Sequence, residues 1–187
     1  MSTTQQPRTY TYDDLADFPD DGLRRELIDG ELIVSPSPVP RHQRVVAFLT
    51  LELGLWTRAH GGEAFPAPLD VKFSDTTVLE PDVLLVTAER ADDVGDKAVV
   101  GPPAVVVEVS SPSTRRTDLV RKRRVYEREG CAEFWFVDLD ADRVEIYRFD
   151  DGRYGHPLLL ERGARLTSAQ LEGFDVAVDA LLGPAVG

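Results

Sequence analysis

The stretch Ala104-Val-Val-Val-Glu-Val-Ser110 constrains the fold of this chain most, because it is nearly all apolar and yet carries an acid. A short continuous apolar run is typical of a strand that is buried on both faces, so we expect a central strand here. Within that strand, Glu108 must be paired, protonated or bound to metal, because a lone charge in a low-dielectric core is prohibitively costly. The run therefore predicts a core strand that contributes to a site.

A second acid, Asp82, stands in an equally apolar run, Glu80-Pro-Asp-Val-Leu-Leu-Val86. Two such acids suggest one buried acidic site. Lys122 follows in the most basic stretch of an otherwise acidic chain. Two carboxylates and an amine are the groups that metal-assisted phosphodiester hydrolysis requires.

Length and composition indicate a globular protein. The 187 residues, 42% apolar and 29% charged, fit one domain, which we place at residues 10–187 after a disordered leader at residues 1–9. The single cysteine, Cys131, excludes an internal disulfide. No secretory signal or bilayer-spanning run is evident, so we expect a cytoplasmic protein without a membrane partner.

Charge is unevenly distributed along the chain. The net charge of -12 argues against nonspecific coating of nucleic acid, which depends on phosphate neutralisation. Residues 115–128, however, hold seven basic residues against two acids, which leaves the rest of the chain at -17. This segment is either a solvated helix face or a surface that holds phosphates beside the acidic pocket.

The order of elements indicates an α/β (α+β) fold. Asp29-Gly30 between two apolar runs predicts an N-terminal hairpin, and a helical period predicts a helix over residues 41–60. Strands are expected at 63–73, 77–86 and 104–109, followed by a helix at 117–129 and a strand at 132–138. A C-terminal hairpin is expected at 143–160, around Asp150-Asp-Gly152. The order is helix, three-stranded meander, helix, strand.

That order, with the residues at its joints, resembles the PD-(D/E)XK nuclease superfamily, which has a restriction endonuclease-like core. It is most similar to that superfamily's bacterial family of putative restriction endonucleases. The resemblance covers about residues 10–182 and rests on an ordered set of motifs: Glu26-Leu-Ile-Asp-Gly-Glu31, Ser35-Pro36 with His42, Pro81-Asp82, Glu108-Val-Ser-Ser-Pro-Ser-Thr114, Asp118 with Lys122 and Tyr126, and Gly130-Cys-Ala-Glu-Phe-Trp-Phe-Val-Asp138.

The resemblance implies that Asp82 and Glu108 are metal-binding acids on adjacent strands. Ser110 stands where the superfamily has lysine, and Lys122 matches the position to which this family's lysine has moved. A helix packed on the strand could deliver the ammonium, since a lysine stem spans several ångströms. Alternatively, Lys122 is one of a row of solvated cations and the site is inactive.

The family pattern also puts Glu31 and His42 near the metal site. Glu31 would complete the ligand set or hold a water, and His42 would contact a phosphate; surface or core roles are the alternatives. Asp118 either orients the Lys122 ammonium or serves as an acid at a helix start. Tyr126 is expected to pack, and the loop from Ser110 through Ser111, Ser113 and Thr114 either binds phosphate or is a turn.

These interpretations lead to one expectation: a Mg2+- or Mn2+-dependent endonuclease that cleaves DNA. Hard oxygen ligands suit those ions rather than zinc or copper. Two alternatives stay open, a noncatalytic nucleic-acid-binding module with the same fold, and a structural subunit that contacts a partner or forms a homodimer.

Overall fold

The structure, a computed structural model, describes residues 8–35, 39–110 and 117–184, with Thr117 and Asp118 described by their backbone alone. The helices are α1 (Tyr12–Leu15), α2 (Pro40–His60), α3 (Arg123–Glu129) and α4 (Val178–Leu182), with a 3-10 segment at Ala88–Asp93 and a π-helical turn at Thr117–Lys122. The strands are β1 (Arg24–Ile28), β2 (Glu31–Ser35), β3 (Glu63–Pro66), β4 (Asp70–Ser74), β5 (Thr77–Leu79), β6 (Val83–Val86), β7 (Ala98–Val100), β8 (Val105–Val109), β9 (Glu133–Asp138), β10 (Arg143–Asp150), β11 (Arg153–Tyr154), β12 (Leu158–Glu161), β13 (Arg165–Thr167) and β14 (Asp175–Ala177).

The central sheet has the strand order β11-β10-β9-β8-β6-β3, with β12 also paired to β10. Strands β3, β6 and β8 pair antiparallel in succession, which is the expected three-stranded meander. Strand β8 then pairs parallel with β9, and the chain between them passes through α3. The predicted restriction endonuclease-like core and the central place of residues 105–109 are confirmed.

A second sheet covers one face of the first, with the order β2-β1-β5-β4-β7. Its β1–β2 hairpin turns at Asp29 and Gly30, which have φ angles of 52° and 81°. A tight hairpin turn needs positive φ at both positions, and Asp-Gly tolerates it. The hairpin predicted from this dipeptide is therefore confirmed.

Two apolar layers enclose the central sheet. One lies between this sheet and α2 and includes Val45, Leu49, Val107 and Trp135. The other lies between the two sheets and α3, and includes Leu84, Val106, Tyr126 and Phe134. Successive side chains of a strand point to opposite faces, so residues 105, 107 and 109 enter the first layer, while 106 and 108 face the second.

The predicted strands at 63–73 and 77–86 each prove to be two strands in different sheets. The first is broken between β3 and β4 at residues 67–69, and the second between β5 and β6 at residues 80–82. Pro68 and Pro81 stand in these breaks, where a residue without an amide hydrogen cannot continue a ladder. The chain leaves the central sheet after β3 and returns at β6, and this return places Asp82 just before a core strand.

The C-terminal half differs from the expectation in detail. The expected strand over residues 154–160 is divided into β11 and β12, which both pair with β10. The expected helix over 117–129 begins with the π-helical turn and becomes α-helical at Arg123. Within the described residues, no helix has the length and apolar character needed to cross a bilayer.

Candidate active site

Asp82 and Glu108 lie opposite each other on neighbouring strands. The register pairs Val83 with Val107, so the next position along brings Asp82 beside Glu108. Strand alternation turns both carboxylates toward the layer between the two sheets. Asp82 is 2% exposed and Glu108 is 1% exposed. Both predicted acids are thus buried at neighbouring positions of the sheet.

Three donors surround the carboxylate of Asp82. The Val109 amide donates to Oδ2 at 2.7 Å, His42 Nε2 lies 3.1 Å from the same oxygen, and Arg24 Nη2 donates to Oδ1 at 2.9 Å. Burial alone would raise the pKa of Asp82, but the His42 hydrogen bond and the Arg24 charge outweigh burial and hold this pKa at about 2. Asp82 is therefore a fixed negative charge at neutral pH.

Glu108 is held by two side chains of the segment that follows it. Lys122 Nζ lies 3.1 Å from Oε2, and the Tyr126 hydroxyl donates to Oε1 at 2.6 Å. Residues four apart share one helix face, so the turn that ends at Lys122 and the first turn of α3 present both groups together. Burial and then the Glu108 charge raise the pKa of Tyr126, so the phenol stays a donor. Lys122 is 1% exposed and is not a solvated cation.

Glu26 is a third buried carboxylate beside Lys122, and it was not among the predicted site residues. It lies in β1, is 1% exposed, and contacts Lys122 Nζ with Oε2 at 2.8 Å. Its Oε1 accepts a hydrogen bond from the Glu80 amide at 2.8 Å. The signal was available, because Glu26 precedes Leu27-Ile28 in a strand and meets the same burial argument as Glu108.

Arg24 was missed as well, and here the sequence carried no signal, since Arg24-Arg25 at the start of a strand resembles a surface pair. Its guanidinium bridges Asp82 and Glu80, with Nε 2.8 Å from Glu80 Oε1. Burial would lower the pKa of Arg24, but the surrounding carboxylates raise it. Burial also raises the pKa of Glu80 despite the nearby arginine. Arg24 therefore remains a fixed cation.

His42 comes to the site from the first turn of α2. It is 5% exposed, and Nε2 faces Asp82 while Nδ1 is buried and has no hydrogen-bond partner among the described residues. The structure brings the histidine to Asp82; its expected contact with a phosphate stays a prediction. The contact it makes is with a carboxylate, so His42 orients Asp82 in this structure.

Glu31 lies outside the buried cluster. It stands opposite Ile28 in the β1–β2 hairpin, and its side chain is 62% exposed. Arg121 binds it in a two-pronged contact, at 3.0 Å and 2.7 Å. The structure therefore places Glu31 at the surface, paired with Arg121, whereas Glu26 is the buried acid of this hairpin.

Ser110 stands where the superfamily has lysine, and its side chain makes a structural contact. Its hydroxyl accepts a hydrogen bond from the Leu139 amide at 3.0 Å, which joins the ends of β8 and β9. Ser111, Ser113 and Thr114 lie outside the described residues, as does the side chain of Asp118, so their predicted roles stay predictions. The lysine function at this site can only come from Lys122 among the lysines described here.

Most described cations of the basic segment face protein partners. Arg121 pairs with Glu31, Arg128 pairs with Asp29 at 3.0 Å, and Arg123 lies over the Tyr147 ring at 4.9 Å. Arg124 is exposed, and no ion pair joins it to the described residues. In the described part of residues 115–128, fewer cations are therefore available to bind phosphate than the count of basic residues suggests.

The donor chemistry of this cluster fits a hard divalent cation. Glu26, Asp82 and Glu108 are buried against Arg24 and Lys122, and Glu80 also pairs with Arg24, so the carboxylates of the cluster outnumber its arginine and lysine. Carboxylate oxygens are the ligands that Mg2+ and Mn2+ prefer. In the described part of the chain, no three acidic, histidine or cysteine side chains are arranged to hold a metal ion, and the ammonium of Lys122 lies between two of the carboxylates.

Comparison with solved structures identifies the fold of this protein. The fold is similar to that of a putative nuclease belonging to DUF820 from Anabaena variabilis ATCC 29413, with a TM-score of 0.77. The two sequences are 18% identical, and the match covers 92% of this chain and 97% of the other. The chain therefore has the restriction endonuclease-like fold of that protein.

The chain belongs to the Uma2 family, described as "Putative restriction endonuclease", whose model matches residues 11–179. The family predicted from the ordered motifs is confirmed. No curated protein matches the chain. The family and the fold together are those of a putative nuclease.

Proposed function

We propose that this protein is a divalent-metal-dependent endonuclease that hydrolyses DNA phosphodiester bonds. The observation that carries the proposal is the contact of Lys122 with Glu108, opposite Asp82, in a chain with serine at position 110. An acidic pair and an ammonium are assembled there from different elements. A buried ammonium beside two carboxylates has no structural necessity, because apolar side chains of similar volume often stabilise a core at least as well.

Asp82 and Glu108 would hold the Mg2+ or Mn2+ ion. Such an ion, when bound, lowers the pKa of a coordinated water and neutralises a phosphate oxygen. Arg24 and His42 fix the direction of the Asp82 carboxylate, and Tyr126 fixes that of Glu108. This second layer of contacts keeps the ligands in place before substrate arrives.

Lys122 would orient the attacking water or stabilise the charge that builds up on the phosphorus centre. A cation placed where charge develops, in a site that excludes water, is worth more than the same cation in solvent. The contacts with Glu26 and Glu108 hold its ammonium at the edge of the acidic pair. Removal of Lys122 should therefore affect the rate more than the binding of substrate.

DNA is the proposed substrate because the chain belongs to a family described as restriction endonucleases. Supercoiled plasmid and labelled duplex, with single-stranded DNA and RNA of the same sequence as competitors, distinguish the polymers. The assay uses purified protein with Mg2+, with Mn2+ and with EDTA. We expect cleavage that requires a divalent ion. Asp82→Asn should abolish this cleavage, whereas the control Asp75→Asn, the same substitution at an exposed aspartate, should keep it. Equal cleavage by wild type and Asp82→Asn would identify a contaminating nuclease and contradict the proposal.

The second candidate is a noncatalytic nucleic-acid-binding module. One observation favours it: both oxygens of Asp82 and both of Glu108 already have protein partners. In that case the carboxylates serve only to stabilise the fold. A module of this kind binds duplex DNA in EDTA as well as it does in Ca2+, and cleaves none in Mn2+.

A further inference from the structure

The Lys122 ammonium lies between two buried carboxylates. Its Nζ lies 2.8 Å from Glu26 Oε2 and 3.1 Å from Glu108 Oε2. All three side chains are at most 2% exposed. The ammonium therefore compensates two buried negative charges at one point.

The contact of Glu26 with Lys122 joins one carboxylate oxygen to the ammonium. Glu26 Oε2 is buried, and in the described part of the chain its partner is the Lys122 ammonium, 2.8 Å away. A carboxylate oxygen has two lone pairs, so Oε2 keeps acceptor capacity for another ligand. A divalent ion binds such oxygens at about 2.0–2.6 Å, a small contraction from the present spacing.

We propose that Glu26 is a third carboxylate of the metal site and that the Lys122 ammonium is its resident counter-ion, which an arriving divalent ion displaces. This inference rests on the proposed metal-dependent function. The ammonium and a divalent ion cannot both stand between Glu26 and Glu108, because two cations about 3 Å apart repel strongly at low dielectric. Binding of the ion is therefore an exchange of cations.

The exchange gives Glu26 and Lys122 connected roles. Without the ion, Lys122 prevents two buried carboxylates from facing each other uncompensated, which is costly. With the ion bound, the ammonium is released from Glu26 and is free to reach phosphate. The lysine would then become available for the reaction only after the metal has bound.

Chemical labelling of lysine reports the displacement directly. The sequence has three lysines, Lys72, Lys97 and Lys122, so a peptide map assigns each amine. Lys97 is exposed and Lys72 has a 29% exposed side chain, whereas that of Lys122 is 2% exposed. The native protein is treated briefly with acetic anhydride in EDTA, in Ca2+ and in Mn2+. We expect Lys122 labelling to rise at least about five-fold with either ion, as a ligand that favours the released state shifts the population toward it.

Calorimetric titration with Mn2+ tests the role of Glu26. Glu26→Gln should weaken Mn2+ binding by at least about ten-fold, because a charged ligand is replaced by a neutral one. The exposed acid Glu63 provides the matched control, and Glu63→Gln should bind as wild type does. Circular dichroism confirms that each variant is folded, and the labelling measurement needs no variant.

The outcomes separate the two proposals. Mn2+ binding with Lys122 still protected would overturn the exchange and leave the metal-dependent function standing. Mn2+ binding that is equally strong in Glu26→Gln would remove Glu26 from the site. If wild type binds neither Mn2+ nor Ca2+, with or without DNA, both the exchange and the metal-dependent function fail.

Discussion

Two buried glutamates on neighbouring strands, Glu108 and Glu133, meet very different partners. Glu133 in β9 faces the layer under α2, on the opposite side of the sheet from Glu108. Its two oxygens accept four hydrogen bonds of 2.7–3.0 Å, from Arg148, Ala169, Trp135 and Ser168. Each carboxylate oxygen of Glu133 thus accepts two hydrogen bonds, and three of the four donors are neutral groups. Glu133 ties the loop at 168–169 to the sheet.

Glu108 belongs to a cluster of a different kind. Its partners and those of Glu26 and Asp82 include Lys122 and Arg24, charged side chains from other elements. One oxygen of Glu26 contacts the Lys122 ammonium. The comparison teaches that burial alone does not distinguish the two acids. Glu108 shares its cation with a second buried carboxylate, whereas Glu133 pairs with one half-exposed arginine and three neutral donors.

The largest expected difference between the two acids is in activity. Glu108→Gln should lower the cleavage rate by about 100- to 1000-fold, since it removes a charge that acts at the reacting centre. Glu133→Gln should keep most of the activity at a temperature where it is folded. Single-turnover cleavage of a labelled duplex in Mg2+ measures both. A larger loss from Glu133→Gln would reverse the assignment of structural and catalytic faces.

Lys122 and its neighbour Arg121 offer a second pair. Lys122→Met should lower the rate by about 100-fold with duplex affinity nearly unchanged, since an interaction made in the transition state affects the rate and not the binding. Arg121→Met should change the rate by a few-fold at most, because Arg121 pairs with exposed Glu31. Equal losses from the two variants would make Lys122 one phosphate contact among several.

The hairpin supplies a third pair, Glu26 and Glu31. Glu26→Gln should lower the cleavage rate by at least about ten-fold, and Glu31→Gln by no more than about three-fold, because only the buried charge lies in a region of weak screening. The same single-turnover assay applies. The reverse order of effects would support the earlier expectation that Glu31 completes the ligand set.

For stability we expect the reverse order, with a larger effect at Glu133 than at Glu108. Glu133→Gln turns an amide donor toward groups that donate, and should lower the free energy of unfolding by about 1–3 kcal/mol. For a chain of this length each kcal/mol corresponds to about 2–4 °C in melting temperature. Differential scanning calorimetry at pH 7 without added metal measures the shift. An unchanged melting temperature would show that the four hydrogen bonds of Glu133 contribute little.

The smallest expected effect concerns the basic helix. Arg124→Ala should reduce the slope of log affinity against log salt concentration for duplex DNA by about 0.9, the value for one lost phosphate contact. Arg128→Ala should reduce it less, since Arg128 is paired with Asp29. Fluorescence anisotropy in Ca2+ at four salt concentrations gives the slopes. Equal slopes for wild type and Arg124→Ala would show that this helix is not part of the DNA-binding surface.

The sequence predicted the burial of Asp82 and Glu108 for a physical reason. Both acids stand in apolar runs, where a charge is too costly to be accidental, and the order of elements placed those runs side by side. Glu26 obeys the same rule but was not among the predicted site residues. Arg24 and His42 reach Asp82 from 58 and 40 residues away, and no local pattern encodes that distance.

The fold was predicted where local signals were strong. Asp29-Gly30 predicted the hairpin, and the helical period predicted a helix over residues 41–60, which the structure shows from Pro40 to His60. The division of residues 63–86 between two sheets was not predicted, because the pattern of apolar residues does not reveal a break at a proline between two apolar runs. The π-helical turn that ends at Lys122 has no sequence signature either, although such turns are frequent at functional sites.

The most direct test of this account is the location of a bound ion. A crystal of the protein soaked in Mn2+, measured at a wavelength where manganese scatters anomalously, gives an unambiguous map of its position. We expect one strong peak within about 2.0–2.6 Å of carboxylate oxygens from both Asp82 and Glu108, and none beside Glu133. No peak at Asp82 and Glu108, with Arg24 and Lys122 still in their present contacts, would contradict the metal-dependent site.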